Sequence, residues 1–283
     1  MVPAVTAPVR KLSVVSGTLL PMRLGKIVLT GAAGQVGAAI RDALRARAER
    51  LVLVDRVPLD ARAGNEEVVT TELDGLGTVL EVVRGADVVV HLSGIPDEAP
   101  LPDLLQANVL GTHHVFEAAR LTGVPRVVLA GSNRLTGHYP ATRTLTPDLV
   151  PRPDGLYGVS KAAVEALAHL YADKFGLQIV SLRIGSLEPE PEDARHLATW
   201  LSPRDCAGYF AAALTTPVTG FVAGYAVSAN ARRFWELPGL GYTPLDNAEA
   251  FAARFPGADA FFVDDMPQGG SFAAPAYTLP HLR

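Results

Sequence analysis

A single cysteine, Cys206, stands in a chain of 283 residues. That excludes an intrachain disulfide framework and any multi-cysteine zinc or iron–sulfur site, and it fits a reducing, cytoplasmic compartment. The lone thiol reads first as a small core residue. No apolar run approaches the ~20 residues needed to span a bilayer, so no membrane partner is expected. Basic excess is missing too: the net charge is −4 with a pI near 6.0. No Lys/Arg cluster lies beside interleaved aromatics, which argues against nucleic acid and for a small-molecule partner. What the chain does have is apolar surface, with 48% hydrophobic residues, enough for a sizeable core.

Residues 1–22 resemble a signal peptide only superficially, because Ser13, Ser16, Gly17, Thr18 and Pro21 interrupt the apolar stretch after Arg10 and Lys11. They are read as a disordered N-terminal extension, with Met22 a candidate natural start. Beyond them, short apolar strands are expected at Lys26–Thr30, Leu51–Asp55, Glu67–Thr71, Asp87–Leu92, Arg126–Gly131 and Gln178–Arg183, with helix-length segments between. Strands alternating with helices predict an α/β fold, a Rossmann doubly wound parallel sheet covered on both faces. Residues 23–185 form the expected dinucleotide-binding domain and 186–283 mostly a small C-terminal substrate lobe. Within the lobe, a helix around Asp205–Leu214 and a strand around Gly220–Val227 are expected to return to the main domain.

Gly31, Gly34 and Gly37 form GxxGxxG between the first strand and a helix expected over Gln35–Ala48. Gly31 permits a tight turn, Gly34 leaves room for a pyrophosphate against the backbone, and Gly37 permits close helix packing; Gln35 and Val36 open the helix whose N-terminus faces the phosphates. The second strand ends in Asp55, where a carboxylate accepts hydrogen bonds from the adenosine ribose and repels a 2′-phosphate. NAD is therefore favoured over NADP, although Arg56 next door could tolerate the extra phosphate. Glu72 and Leu73 are expected beside the adenine, and Leu92, Ser93 and Gly94 on the nicotinamide side, with Ile184 also at the cofactor.

Tyr157 and Lys161, four apart at the start of a helix, share a face. A tyrosine with a solution pKa of ~10 is a poor base at neutral pH, but a neighbouring ammonium and a positive nicotinamide ring favour its phenolate. Ser132, ending the preceding strand, could hold the reacting oxygen. Serine, tyrosine and lysine behind a glycine-rich turn resemble the short-chain dehydrogenase/reductase superfamily, and Asn108-Val-Leu-Gly111-Thr112 resembles its extended, epimerase-like branch. That resemblance implies that Asn108 on the central helix orders the lysine through backbone or water, and that a homo-oligomer forms through paired central helices.

The segments Ser132–Pro140, Arg152–Lys161, Arg183–Ser186, Leu197–Ser202, Asp246–Phe251 and Gln268–Phe272 resemble the uronate dehydrogenases from about Met22 nearly to the C-terminus. The resemblance implies NAD-dependent oxidation of glucuronate or galacturonate at C1 to an aldarolactone, without a metal. It makes Arg195 the arginine that binds the substrate carboxylate, and it has Ser186 and Asn133 read sugar hydroxyls. Where those enzymes usually have histidine and serine, this chain has Arg134 and Pro96. Arg134, a further candidate substrate contact, is a second clamp, a solvent-facing substitution or the mark of a changed specificity. His113, His114 and Glu117 have partial metal-ligand spacing, with a packing face as the alternative, and His91 reads as a hydrogen-bonded core residue. Two other functions fit the same motifs: another sugar or sugar-nucleotide oxidoreductase or epimerase, and a non-catalytic NAD(H) sensor.

Overall fold

The strand Leu24–Thr30 (β1) has no solvent side: Ile27, Val28 and Leu29 are all fully buried. Successive strand side chains point to opposite faces. Ile27 and Leu29 accordingly pack with Ile40, Leu44, Tyr209 and Phe210 on one face, while Val28 packs with Val79, Phe116, Ala119 and Ala168 on the other. Such a strand belongs at the centre of a sheet covered twice. In the computed structural model, which describes residues 23–282, it is an interior strand, flanked by a strand on each side.

The chain continues through α1 (Gln35–Arg45), β2 (Ala48–Asp55), β3 (Glu66–Thr70), α2 (Leu76–Val83), β4 (Val88–His91) and the short α3 (Leu101–Leu104). A π-helical turn over Leu105–Leu110 then runs into α4 (Gly111–Thr122), followed by β5 (Arg126–Ser132), α5 (Leu156–Phe175) and β6 (Gln178–Ile184). After β7 (Ser186–Leu187), α6 (His196–Thr199), β8 (Trp200–Leu201), α7 (Pro203–Ala213) and β9 (Phe221–Ala226) come short helical turns, then α8 (Pro275–Thr278) and a last turn over Leu279–His281. Seven parallel strands form one sheet in the order β3-β2-β1-β4-β5-β6-β9, and β7 pairs with β8 separately. The expected doubly wound parallel sheet is therefore present.

The expected strands appear with ends moved by one to three residues. The first helix stops at Arg45 instead of Ala48, because β2 has already begun at Ala48 beside Leu24. The supposed substrate segment contributes to the main sheet: β9 pairs with β6, and α7 packs its Tyr209 and Phe210 into the same apolar layer as α1. The N-terminal extension and the Met22 start lie outside the described residues.

Strand order reverses between β1 and β4, which run side by side while their connections leave in opposite directions. The loops after these two strands must part, and a crevice opens at their C-terminal ends. One buried ion pair secures the far edge: Arg41 of α1 donates through Nε (2.9 Å) and Nη2 (2.8 Å) to Glu66 of β3. Hydrogen bonding from Arg41 holds the Glu66 carboxyl down at about 2, against burial, which pushes the other way. A depressed folded-state pKa stabilises above the unfolded value and ceases to do so as pH falls through the folded one. Glu66→Gln should cost about 3 kcal/mol at pH 7. In urea melts the gap from wild type should close as pH falls from 4.5 toward about 2; a gap that is constant with pH contradicts this account.

Candidate active site

The crevice at the sheet's switch point is a cavity of about 970 Å³. It is lined by every expected site residue except Asn108. At its cofactor end Gly31 has φ +69°, and a Cβ there would lie 2.8 Å from the Ser93 nitrogen, so β1 and β4 part without room for a side chain. A Cβ on Gly37 would lie 2.6 Å from the Ala32 carbonyl, which places the turn directly on α1. Gly34 differs, since a Cβ there would meet only the Gly31 oxygen at 3.4 Å. No side chain caps α1. Its first N–H groups are left free to meet an anion that approaches the backbone over Gly34. Asp55 is aimed from two sides: Oδ2 accepts from the Ala33 N–H of the glycine-rich turn (2.9 Å) and Oδ1 from the Val57 N–H of its own loop (3.0 Å). Gln35, Val36, Glu72, Leu73, Leu92, Ser93, Gly94 and Ile184 complete this end, and Gln35 Nε2 donates to the Leu187 carbonyl (2.6 Å), tying α1 to the segment after β6. These residues fit a dinucleotide.

Beneath the crevice His91 lies between the Thr30 and Thr112 hydroxyls (2.8 and 3.2 Å). Burial, with the Lys161 charge nearby, pushes it down to about 3. It is a neutral core residue. Among the described residues no group of three His, Cys, Asp or Glu could hold a metal ion; Glu117 is instead bonded to Arg120 and Tyr171.

Ser132 is the last residue of β5, and its Oγ accepts from the Arg134 N–H at 3.2 Å, fixing the turn that follows. Tyr157 and Lys161 occupy the first turns of α5, with Lys161 Nζ 5.5 Å from the Tyr157 ring centre and donating to the Ala130 carbonyl (3.1 Å). Tyrosine and lysine therefore face Ser132's strand end across one cavity. Asn108 comes from the segment that leads into α4. It lies in the π-helical turn and its side chain binds the Ile95 backbone through both ends, at 2.8 and 3.1 Å, and the Ser160 hydroxyl at 3.0 Å. Its carbonyl accepts from Thr112 Oγ1 (2.6 Å), while Lys161 donates to the Ala130 carbonyl of β5.

At the other end of the cavity are two arginines, both buried. Arg195 donates to the Gln268 carbonyl (2.6 Å), Ser186 Oγ (3.1 Å) and Asn133 Oδ1 (3.0 Å), all neutral acceptors. Burial pulls it down to about 10, so it still carries its charge at neutral pH. Among the described residues it has no ion-pair partner. Asn133 and Ser186, expected to read hydroxyls, spend their side chains largely on holding Arg195, with Asn133 Nδ2 on the Ile184 carbonyl (2.7 Å) and Ser186 Oγ also bonded to Thr199.

Arg134 is the reverse case. Its Nε meets Asp154 at 2.8 Å, one terminal nitrogen meets Asp97 at 2.7 Å, and the other lies 3.5 Å from Glu98. Its guanidinium sits 4.3 Å from the Phe272 ring centre, 5.1 Å from that of Tyr277 and 5.4 Å from that of Tyr157. The solvent-facing alternative is thereby overturned, and a second clamp on substrate is not supported either, since three carboxylates of the chain itself already compensate this charge. Burial holds the Asp154 carboxyl above its usual range despite Arg134 beside it, and its Oδ2 has no hydrogen-bond partner among the described residues. Sequence reasoning gave no role to Glu98, Asp154, Gln268 and Phe272, although the last three lie within segments that carry the family resemblance.

Comparison with known proteins adds the family context. Residues 27–204 match the NAD dependent epimerase/dehydratase family. The chain is 45% identical over 229 residues to a uronate dehydrogenase of Agrobacterium fabrum, covering 80% of this chain and 86% of that one. It is 38% identical to a uronate dehydrogenase of Pseudomonas putida, covering 88% and 95%. Its fold superposes on a mutant of uronate dehydrogenase from Agrobacterium tumefaciens complexed with NAD, with a TM-score of 0.81, 40% identity and coverage of 90% and 99%.

The internal role of Arg134 is testable. Arg134→Met would leave Asp97, Glu98 and Asp154 together without a cation, at a cost of about 3 kcal/mol at pH 7. Burial opposes ionisation of Asp97, but bonds from Tyr277, the Glu98 N–H and Arg134 outweigh it and hold its carboxyl below the usual range. Stability of this kind exists above the unfolded carboxylate pKa and fades as pH falls, so the difference in melting should narrow below about pH 4. Unchanged thermal melting at pH 7 would return Arg134 to the substrate.

Proposed function

The chain belongs to the NAD-dependent epimerase/dehydratase family and, within it, to the uronate dehydrogenases, and on that premise we propose that it oxidises a hexuronate such as glucuronate or galacturonate at C1 to the aldarolactone. The observation that carries this reading is Arg195: a buried, charged guanidinium on the cavity wall whose own partners are all neutral. A buried charge without a counter-ion is costly. A sugar carboxylate entering the cavity supplies that counter-ion and accepts planar hydrogen bonds from the fork.

In this proposal Ser132 Oγ holds the C1 hydroxyl oxygen and Tyr157 takes its proton. Lys161, anchored on the Ala130 carbonyl, stabilises the phenolate with its charge. NAD, when bound, supplies acceptance of the hydride from C1, and the ring oxygen stabilises the positive charge that develops there. The C1–H and O–H bonds break, the C1=O bond of the lactone forms, and the proton leaves through Tyr157. Asp55, Gly31, Gly34 and Gly37 hold the dinucleotide, and the Asp55 carboxylate disfavours a 2′-phosphate. Asn108 acts on this apparatus by clasping Ile95 and Ser160. Functionally, residues 23–185 form the NAD-binding part and 186–283 mostly the substrate part, from which α7 and β9 return to the sheet.

Mixing the protein, NAD and a panel of glucuronate, galacturonate, neutral hexoses and UDP-sugars, and following NADH absorbance, tests the reading. NADH should form with uronates; formation with neutral hexoses alone would remove the carboxylate argument. Tyr157→Phe should lower kcat by about 10³-fold or more while NAD affinity, read by fluorescence titration, stays near wild type. Retained turnover would refute its role as base.

We also propose a homo-oligomer. The turn before α4, α4 itself and α5 expose Leu105, Leu110, Leu121, Leu170 and Phe175 on the surface, and pairing of these helices would cover them. A monomer mass by light scattering at micromolar concentration would contradict it.

A further inference from the structure

The first N–H groups of α5 need acceptors, and the preceding residue, Gly155, has no side chain to offer one. A carboxylate from a different loop takes that position. Glu98 Oε1 accepts from the Leu156 N–H at 2.8 Å, and Oε2 from the N–H of Tyr157 itself at 3.1 Å. Its side chain is 2% exposed. The same carboxylate accepts from Thr278 Oγ1 in α8 at 2.9 Å and has an Arg134 nitrogen at 3.5 Å. Gly155 is what lets it approach, because a Cβ there would stand 2.5 Å from Oε2 and 2.7 Å from Oε1, and meets nothing but this carboxylate at such range.

We propose that Glu98 is a positioning residue for the proton-transfer step: it fixes the backbone of Tyr157 to the loop that follows β4. This rests on the function proposed above. The loop from Leu92 to Glu98 begins on the expected nicotinamide wall and ends on the helix that carries the phenol. It is tied to α5 twice, by Glu98 at Leu156 and Tyr157 and by Asn108, which holds Ile95 and Ser160 at once. The distance from the nicotinamide wall to the Tyr157 oxygen is thus set by side-chain bonds that cross between elements. A negative group at a helix N-terminus is favourable, and the Arg134 guanidinium balances its burial. Tyr277, donating to Asp97 at 2.7 Å, and Thr278 extend the cluster to the C-terminal segment.

Two variants displace this carboxylate in different ways. Glu98→Gln keeps the shape and removes the charge; Gly155→Ala keeps every charge and pushes the carboxylate off the helix. Both should lower kcat by about tenfold or more, since small misplacements of reacting groups cost that much. KM for the sugar and the affinity for NAD should stay within about threefold of wild type. The solvent deuterium isotope effect on kcat should rise, because the impaired step moves a proton. Amide hydrogen exchange at Leu156 and Tyr157 should quicken in both variants. A smaller loss of kcat in a folded variant, an equal loss in NAD affinity, or unchanged exchange at these two amides would overturn the proposal. If Glu98→Gln does not fold, Gly155→Ala decides alone. Kinetic ratios are taken on whichever sugar the wild type oxidises, so failure with uronates removes the proposed substrate without touching this inference, and the exchange measurement needs no turnover at all.

Discussion

Burying a guanidinium leaves a positive charge that something must compensate, and the two arginines at the sugar end of the cavity meet that requirement in opposite ways. Arg134 is compensated by the chain itself, through Asp154, Asp97 and Glu98. Arg195 is oriented by the chain without a direct ion pair among the described residues, the Asp154 and Asp193 carboxylates acting on its charge only from a distance, with the Gln268 carbonyl, Ser186 and Asn133 holding each nitrogen in place. Neutral hydrogen bonds fix a direction without cancelling a charge. In the proposed function, the preference for an anionic sugar follows from that division.

The sheet makes both arrangements possible. Parallel strands deliver their C-terminal ends to one edge, and the reversal between β1 and β4 leaves an opening there. The same edge then receives Ser132 from β5, Asn133 and Arg134 from the turn after it, and Ile184 to Ser186 from the end of β6. Segments far apart in sequence seal it: Gln35 bonds across to Leu187, and Phe272 lies over Arg134 with Arg195 5.5 Å from its ring centre. Glycine is needed where these pieces meet most closely. A Cβ on Gly137 would fall 2.0 Å and one on Gly269 2.6 Å from the Asp154 carboxylate, so the buried partner of Arg134 is enclosed by two glycines.

What could be read from the sequence was what is local. Apolar runs marked the strands because a doubly covered strand is apolar on both faces, and the Gly31–Gly37 spacing with Asp55 marked the cofactor end because each residue acts within one strand–turn–helix unit. Tyr157 and Lys161 were legible through helical spacing. Arg195 was legible only through resemblance, since in isolation it is an arginine in an acidic loop. Arg134 stayed open between three readings because its partners come from residues 97, 98 and 154, and no periodicity reports a contact across 20 to 37 residues. The resemblance ties Asn108 to the lysine through backbone or water; the bonds of its side chain to the Ile95 backbone, between elements, were not legible. Glu98 sits in a loop without pattern, and only the fold brings it to the start of α5.

The claim that the buried charge of Arg195, which has no direct ion-pair partner among the described residues, selects the substrate is tested most directly by calorimetric titration of the protein–NADH complex with glucuronate and with its uncharged amide. The two ligands share shape and hydroxyls and differ by one charge. The account predicts that the carboxylate binds about a hundredfold more tightly, near the worth of a buried charge-assisted bidentate pair. Equal affinities would contradict it.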